Sequence, residues 1–384
     1  MTRKWLRWMP AVAVPAVIAA AALAGSLPAS AGDPLPAKTP AEVLALMAQH
    51  RAPSLSGTLE QTAQIGLPEL PKTGPSSGGG AASALELLSG PHTARVFLDG
   101  TSNMRIQVLD RLAERNAVKS GDQVWLYSSR DNTAAHLTLP AGAGHARDFS
   151  DCRHPAAGAD GVMPTPEALA ARLLAAADPT TEVSVGPEVN IAGRAAYNLM
   201  ITPRTEGTLI GSAAIAVDGQ SGLPLSVEVK ARGQEEPAFK LAFTSLSLEA
   251  PDASLFTFAP PPGATVKEIE VPAHGTGSWP GHGTEKGVVP DGAVPEGVAP
   301  NGGLPRPEVT GTGWETVVEF PAGPASAEAG AMVSGDPLLQ QAAVEVPGGR
   351  LFSTAVVNVL FTDDGRVFAG SVPAERLLTA ADAR

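Results

Sequence analysis

Apolar and polar positions alternate through three consecutive segments, Ala214-Ile215-Ala216-Val217, Leu225-Ser226-Val227-Glu228-Val229 and Phe239-Lys240-Leu241-Ala242-Phe243. A period of two puts every second side chain on one face of a sheet, so these segments predict antiparallel strands with one apolar face. Similar runs lie upstream at 54–64, 94–98, 104–108, 116–119, 124–127, 136–139, 182–185 and 197–201. Turn residues separate them, notably Asp99-Gly100, Ser120-Gly121-Asp122 and Ser221-Gly222-Leu223-Pro224. In the last long strand Phe239, Leu241 and Phe243 are odd-numbered, whereas Leu246 and Leu248 are even. One extra residue reverses facing, so a β-bulge or sheet corner is expected near Thr244-Ser245. The run ends at Phe256-Thr257-Phe258-Ala259-Pro260-Pro261-Pro262-Gly263.

Two helices interrupt the strands. Thr39-Pro40-Ala41-Glu42 combines a Thr N-cap, a Pro at the first helical position and a Glu that closes a capping box. That helix should run to about Gln49, with Val43, Leu44 and Met47 on one side. Thr165-Pro166-Glu167 starts a second, apolar at Leu169, Leu173 and Leu174 and stopped by Asp178-Pro179. The Gly-rich stretch 71–83 and the Ala/Gly/Pro-rich stretch 140–164 predict loops. Residues 271–310 hold nine Gly and seven Pro in forty positions, with Pro290, Pro295, Pro300 and Pro305 recurring every five residues, and predict a linker. Beyond it, 311–384 predicts a small α+β unit. Its elements are a strand at 316–320, a short helix at 337–342, strands at 351–361 and 366–371 joined at Asp363-Asp364-Gly365, and a helix from Pro373.

The first 31 residues have the three parts of a secretory signal: Arg3, Lys4 and Arg7, an apolar run from Met9 to Leu23, and Ala29-Ser30-Ala31. Cleavage after Ala31 is expected, with a retained membrane anchor as the alternative. It would leave 353 residues and, by removing three positive charges, move the formal charge from −12 to −15. Such a balance repels phosphate backbones and anionic head groups, which argues against nucleic-acid binding and for no more than transient membrane contact. The chain is therefore expected to be exported beyond the cytoplasmic membrane. No lipid anchor is expected, because no cysteine follows the leader. The single cysteine, Cys152, excludes an intrachain disulfide. His145, Asp151 and His154 near it match no standard zinc spacing, and His274 and His282 fall in the linker, so neither a metal nor a cofactor is expected.

Reaction machinery is sparse. Gly219-Gln220-Ser221-Gly222-Leu223 is the nearest approach to a nucleophile elbow and also fits a plain turn. Asp99, Asp122, Asp218 and Asp363 sit at turns, where local hydrogen bonding favours Asp. The pattern is that of a binding module rather than an enzyme, with a hydrolase of envelope material as the weaker alternative. A curved sheet with two helices across its open side would enclose a space lined by Val96, Leu98, Met104, Ile106, Val108, Trp125, Tyr127, Leu199, Ile201, Val227, Leu241 and Phe243. Periodicity alone does not separate a cavity for acyl chains from an ordinary core.

The segments Leu88-Ser89-Gly90-Pro91-His92-Thr93-Ala94-Arg95-Val96, Asp99-Gly100, Gly121-Asp122-Gln123-Val124-Trp125-Leu126-Tyr127 and Asp218-Gly219-Gln220-Ser221-Gly222-Leu223-Pro224-Leu225 together resemble the LolA-like lipoprotein carriers and the N-terminal domain of RseB-type sigma-factor regulators. The ending Phe256-x-Phe258-x-Pro260-Pro261-x-Gly263-x-x-Val266 is similar to their last strand, and the Ala/Gly/Pro-rich composition looks like an actinobacterial branch. The resemblance covers about 39–268. It implies an unclosed antiparallel β-barrel with a helical lid over a cavity for lipid or lipoprotein acyl chains, and it places Arg105 where the family's barrel arginine meets the lid. The Gly-rich loop, the linker and the C-terminal unit depart from the carrier pattern. A regulatory sensor whose 311–384 unit binds an anti-sigma factor or other envelope partner is the alternative that follows.

Overall fold

The computed structural model describes residues 34–50, 54–66, 90–109, 113–139, 163–176, 180–269, 307–323, 326, 327, 329–331, 340 and 342–383. The leader, the Gly-rich loop, the region of Cys152, most of the Gly/Pro-rich linker and most of the 337–342 helix lie outside the described residues.

Helix α1 spans Pro40–Gln49 and has the full capping box: Glu42 N–H donates to Thr39 Oγ1, and Thr39 N–H donates to Glu42 Oε2 at 2.7 Å. Strands β1 (Ser54–Ala63), β2 (His92–Asp99), β3 (Asn103–Leu109), β4 (Glu114–Ser120), β5 (Gln123–Ser128) and β6 (Thr133–Thr138) follow. Helix α2 spans Pro166–Ala176, and Thr165 Oγ1 accepts from Ala168 N–H at its start. Next come β7 (Thr181–Ile191), β8 (Arg194–Pro203), β9 (Ile210–Asp218), β10 (Pro224–Ala231), β11 (Phe239–Ser247) and β12 (Thr265–Ile269).

These twelve strands form one open sheet in the order β12-β6-β5-β4-β3-β2-β1-β11-β10-β9-β8-β7. Among the described residues the two ends of the order do not pair, so this is an unclosed antiparallel barrel wall, built of the strands that the alternation predicts and open as the family resemblance implies. The exception is β12, which runs parallel beside β6. The expected bulge is present. Thr58 pairs with Ser245 and Leu59 with Phe243, leaving Thr244 as the extra residue. At that bulge the backbone of β1 needs a glycine: a Cβ on Gly57 would stand 2.6 Å from Ser245 O and 2.8 Å from the Phe243 ring.

Three expectations are corrected. Strand β7 continues to Ile191 through a second irregularity between Gly186 and Val189. The Phe-x-Phe ending is no strand. Asp252 caps a 3-10 turn at Ala253–Phe256, and irregular chain with a turn at Pro262-Gly263 leads on to β12. Residues 351–361 are two strands rather than one. The Thr354 hydroxyl accepts from Val357 N–H at 2.9 Å and donates to Val357 O at 2.7 Å, building a tight turn without Gly or Pro.

The C-terminal sheet has the order β13-β14-β18-β17-β16-β15. Its strands are β13 (Glu308–Thr310), β14 (Val317–Phe320), β15 (Ala343–Val346), β16 (Gly349–Ser353), β17 (Asn358–Thr362) and β18 (Val367–Gly370). Helix α3 (Ala374–Asp382) covers one face and buries Leu377 with Val317, Leu351, Leu360, Phe368 and Val372.

Candidate functional site

Cross-strand register sorts the predicted lining residues by face. Leu199, Ile215, Val227 and Leu241 are paired in sequence across β8, β9, β10 and β11, and Gln61 and His92 carry the row on into β1 and β2. By the same ladders Val96, Leu98, Met104, Ile106, Val108, Ile201 and Phe243 share this face, here called inner. Ten of the twelve predicted positions are thereby brought together. Val96, Ile106, Val108, Leu241 and Phe243 belong to one buried cluster, with Leu98 and Met104 half-buried against it, and Leu199, Ile201 and Val227 are buried farther along the same face.

Trp125 and Tyr127 lie on the opposite face. Trp125 is paired through Val118 with Arg105, which pairs with Phe97, and all four point away from Val96 and Ile106. The residues after β11 strap this outer face. Phe258 sits 5.5 Å from the Trp125 ring and 5.7 Å from the Tyr127 ring, and His136 stacks on Trp125 at 4.1 Å. Arg105 Nη1 donates to Leu255 O at 3.1 Å and Nε to Asn116 Oδ1 at 3.2 Å. Its partner is thus the 3-10 turn, not either α-helix. The run Val124-Trp125-Leu126-Tyr127 is apolar at both parities, which signals a strand covered on both faces. Gln61 and His92 are buried on the inner face at 1% and 3% exposure, and sequence reasoning passed over both.

The two rims of the half-barrel differ. One rim gathers the end of β1, the β8–β9 and β10–β11 connections and the start of β7, and there the C-terminal unit is docked. Trp314 Nε1 donates to Thr181 Oγ1 at 2.8 Å. Leu209 N–H and the Thr208 hydroxyl both donate to Ser371 O at 2.8 Å. Ala355 N–H donates to Ile65 O at 2.9 Å, where Ala355 and Val356 pack on Ile65, Ala231 and Ala238. Glu315 accepts from the Thr205 hydroxyl and meets Arg376 Nη1 at 2.5 Å.

The opposite rim gathers the start of β1, the end of β2, the β9–β10 turn and the late part of β11, and among the described residues the two helices and Met163, just before α2, lie over it. Helix α2 rests on β10, and α1 on β7 and β8. Under the first turn of α2 a crevice of about 10 Å³ is lined by Leu55, Val96, Leu98, Leu223, Pro224 and Phe243, with Thr165, Pro166 and Glu167 above. That is space for about one water. The β9–β10 turn beneath α1 is braced by hydrogen bonds. Arg194 forks onto Asp218 at 2.8 and 2.9 Å, and the N–H and hydroxyl of Ser221 donate to Asp218 Oδ2 at 2.7 and 2.6 Å. Burial pushes the Asp218 carboxyl up, but these hydrogen bonds and the Arg194 charge outweigh it and hold it below its ordinary value. Gly222 has φ +76°, and a Cβ there would collide with Leu46 O of α1.

The helices meet at His50, which caps α1, and Glu167 in the first turn of α2. His50 Nε2 lies 3.5 Å from Glu167 Oε1, and Nδ1 lies 2.8 Å from Met47 O. A carbonyl only accepts, so Nδ1 carries the proton, and Nε2 gains one only in the imidazolium form. Among the described residues no group of three or more His, Cys, Asp or Glu is placed to hold a metal, and no helix is long and apolar enough to cross a membrane.

No protein-family model matches the chain, and none of the curated proteins matches it. Among solved structures, the MucA/MucB complex of Pseudomonas aeruginosa is similar over 89% of this chain and 96% of that chain, at 14% identity and a TM-score of 0.42. An uncharacterized conserved protein from Thermus thermophilus is similar over 60% of this chain and 98% of its own, at 12% identity and a TM-score of 0.33. A LolA superfamily protein from Nitrosomonas europaea is similar over 58% of this chain and 99% of its own, at 10% identity and a TM-score of 0.22.

Proposed function

We propose that the protein is an exported, non-catalytic envelope protein that holds acyl chains of a lipid or lipoprotein against the inner face of the half-barrel. One observation carries this: the apolar inner face is roofed at one rim by two short helices instead of a second sheet. Helix α2 contributes a single edge to the crevice at Leu55, Leu98 and Phe243. The crevice as it stands admits one water, so a chain is admitted only when α2 is displaced. The energy is sufficient. Each buried methylene contributes about 0.8 kcal/mol, so a long chain gains roughly 10 kcal/mol before ordering costs.

Organic extraction of the purified protein followed by mass spectrometry tests the proposal. Stoichiometric lipid is the expected result. Lipid-free protein that also refuses fluorescent fatty-acid analogues would overturn it. A second reading, a sensor that reports its occupancy to an envelope partner, is supported by the docking of the second sheet along the opposite rim. It predicts that deleting 311–384 abolishes partner binding and leaves lipid uptake intact.

A further inference from the structure

We infer that the guest passes tail-first through the crevice beneath α2, and that Glu167 makes this mouth select acyl chains in ester or amide linkage over free carboxylates. This deepens the acyl-binding reading and rests on it. The direction follows from the unequal rims. From the start of β7 to the end of β1 the far rim is occupied by Trp314, Glu315, Ala355 and Ser371 of the second unit, held to strand ends and loops by hydrogen bonds. The near rim has apolar strand residues directly under a helix turn, so the tail is drawn inward there and the head is left outside.

The head then stands beside Glu167, whose side chain is 46% exposed and borders the crevice. Its neighbour His50 presents Nε2, which carries no proton whenever the ring is neutral and then offers Glu167 no counter-charge. The other strand and turn residues lining the crevice, Leu55, Val96, Leu98, Leu223, Pro224 and Phe243, are uncharged. A carboxylate head meets like charge at the mouth, and an ester or amide head does not. An exposed charge pair of this kind alters affinity by about two- to five-fold.

The test is displacement of an uncharged fluorescent acyl probe by palmitic acid and by its methyl ester. It uses the full chain at low salt and about pH 8, where histidine side chains are neutral. In Glu167→Gln the affinity of acid relative to ester should rise about two- to five-fold over the unsubstituted protein. Glu167→Lys should carry the ratio further in the same direction, which separates charge from shape. Glu206→Gln removes an exposed carboxylate at the docked rim and should leave the ratio unchanged. A ratio equal in all four proteins, or one moved by Glu206→Gln, overturns the inference while acyl binding stands. Failure of the unsubstituted protein to take up the probe overturns both.

Discussion

The two rims of the half-barrel show two ways of closing a sheet. At the docked rim, directional contacts fix the second unit: Trp314 to Thr181, Thr208 and Leu209 to Ser371, and Ala355 to Ile65. Each requires a partner in one place, and separating the units would strand buried polar groups. At the helix rim, the cover among the described residues is chiefly apolar contact, with His50 Nε2 standing 3.5 Å from Glu167 Oε1 between the two helices. Apolar contact is non-directional, so a helix can be exchanged there for another apolar body at little polar cost. The lesson is that the capacity to admit a guest lies where closure is apolar. The docked rim provides the fixed end against which such a change happens.

The strongest way to break this contrast is Trp314→Ala. The indole is 7% exposed and its N–H is bonded, so truncation should cost about 3 kcal/mol and loosen the second unit from β7. Chemical denaturation and limited proteolysis measure it. Acyl uptake at saturating probe should persist, and a stable, protease-resistant variant would refute the account of the docked rim.

Asp218→Ala is next, because the buried carboxylate anchors Arg194 and the turn under α1. With the Arg194 side chain a quarter exposed, the expected loss is about 2 kcal/mol, less than for a fully buried pair. The dependence on pH has a definite sign. The folded carboxyl titrates below its ordinary value, so its stabilisation is complete above about pH 4 and is lost as pH falls through the folded value. Denaturation midpoints of the unsubstituted protein and Asp218→Asn should therefore converge on acidification. Parallel curves would contradict the assignment.

Gly222→Ala acts on the helix rim alone. The left-handed φ and the Leu46 carbonyl both resist a Cβ, so about 1–2 kcal/mol is lost and α1 is pushed off its seat. Stopped-flow uptake of a fluorescent acyl probe should quicken. Unchanged uptake with lowered stability would show that α1 is no part of the cover.

The meander, both helix starts and the Thr244 bulge are legible in the sequence, because each leaves a local mark: period two, a Thr-Pro pair followed closely by Glu, or a parity reversal between Phe243 and Leu246. That Met104, Ile106 and Val108 share one face was legible from their alternation, but which way that face turns was not, because period two marks a face without saying what covers it. The inner face was not legible in β5, where Trp125 and Tyr127 face the strap of Phe258 and only long-range register reveals it. The docked rim was invisible for the same reason. Its contacts join Thr205 to Glu315 and Thr208 to Ser371 across more than a hundred residues, and no periodicity encodes them. The turn at Thr354 escaped because a hydroxyl does there what Gly or Pro does elsewhere.

The smallest expected effect sharpens the contrast most. Thr39→Ala removes the side chain that accepts from Glu42 N–H and so opens the capping box of α1. Loss of such a cap costs about 1 kcal/mol, and the cost falls on one helix. If α1 is a movable cover, amide exchange should accelerate through residues 40–49 and leave β8 and β9 unchanged, with probe uptake faster and affinity nearly constant. If α1 belongs to the cooperative core, the same cost spreads to every slow amide of the sheet and uptake does not change. The substitution is remote from the crevice and the docked rim, so its exchange pattern separates a helix that merely completes a core from one that covers a site.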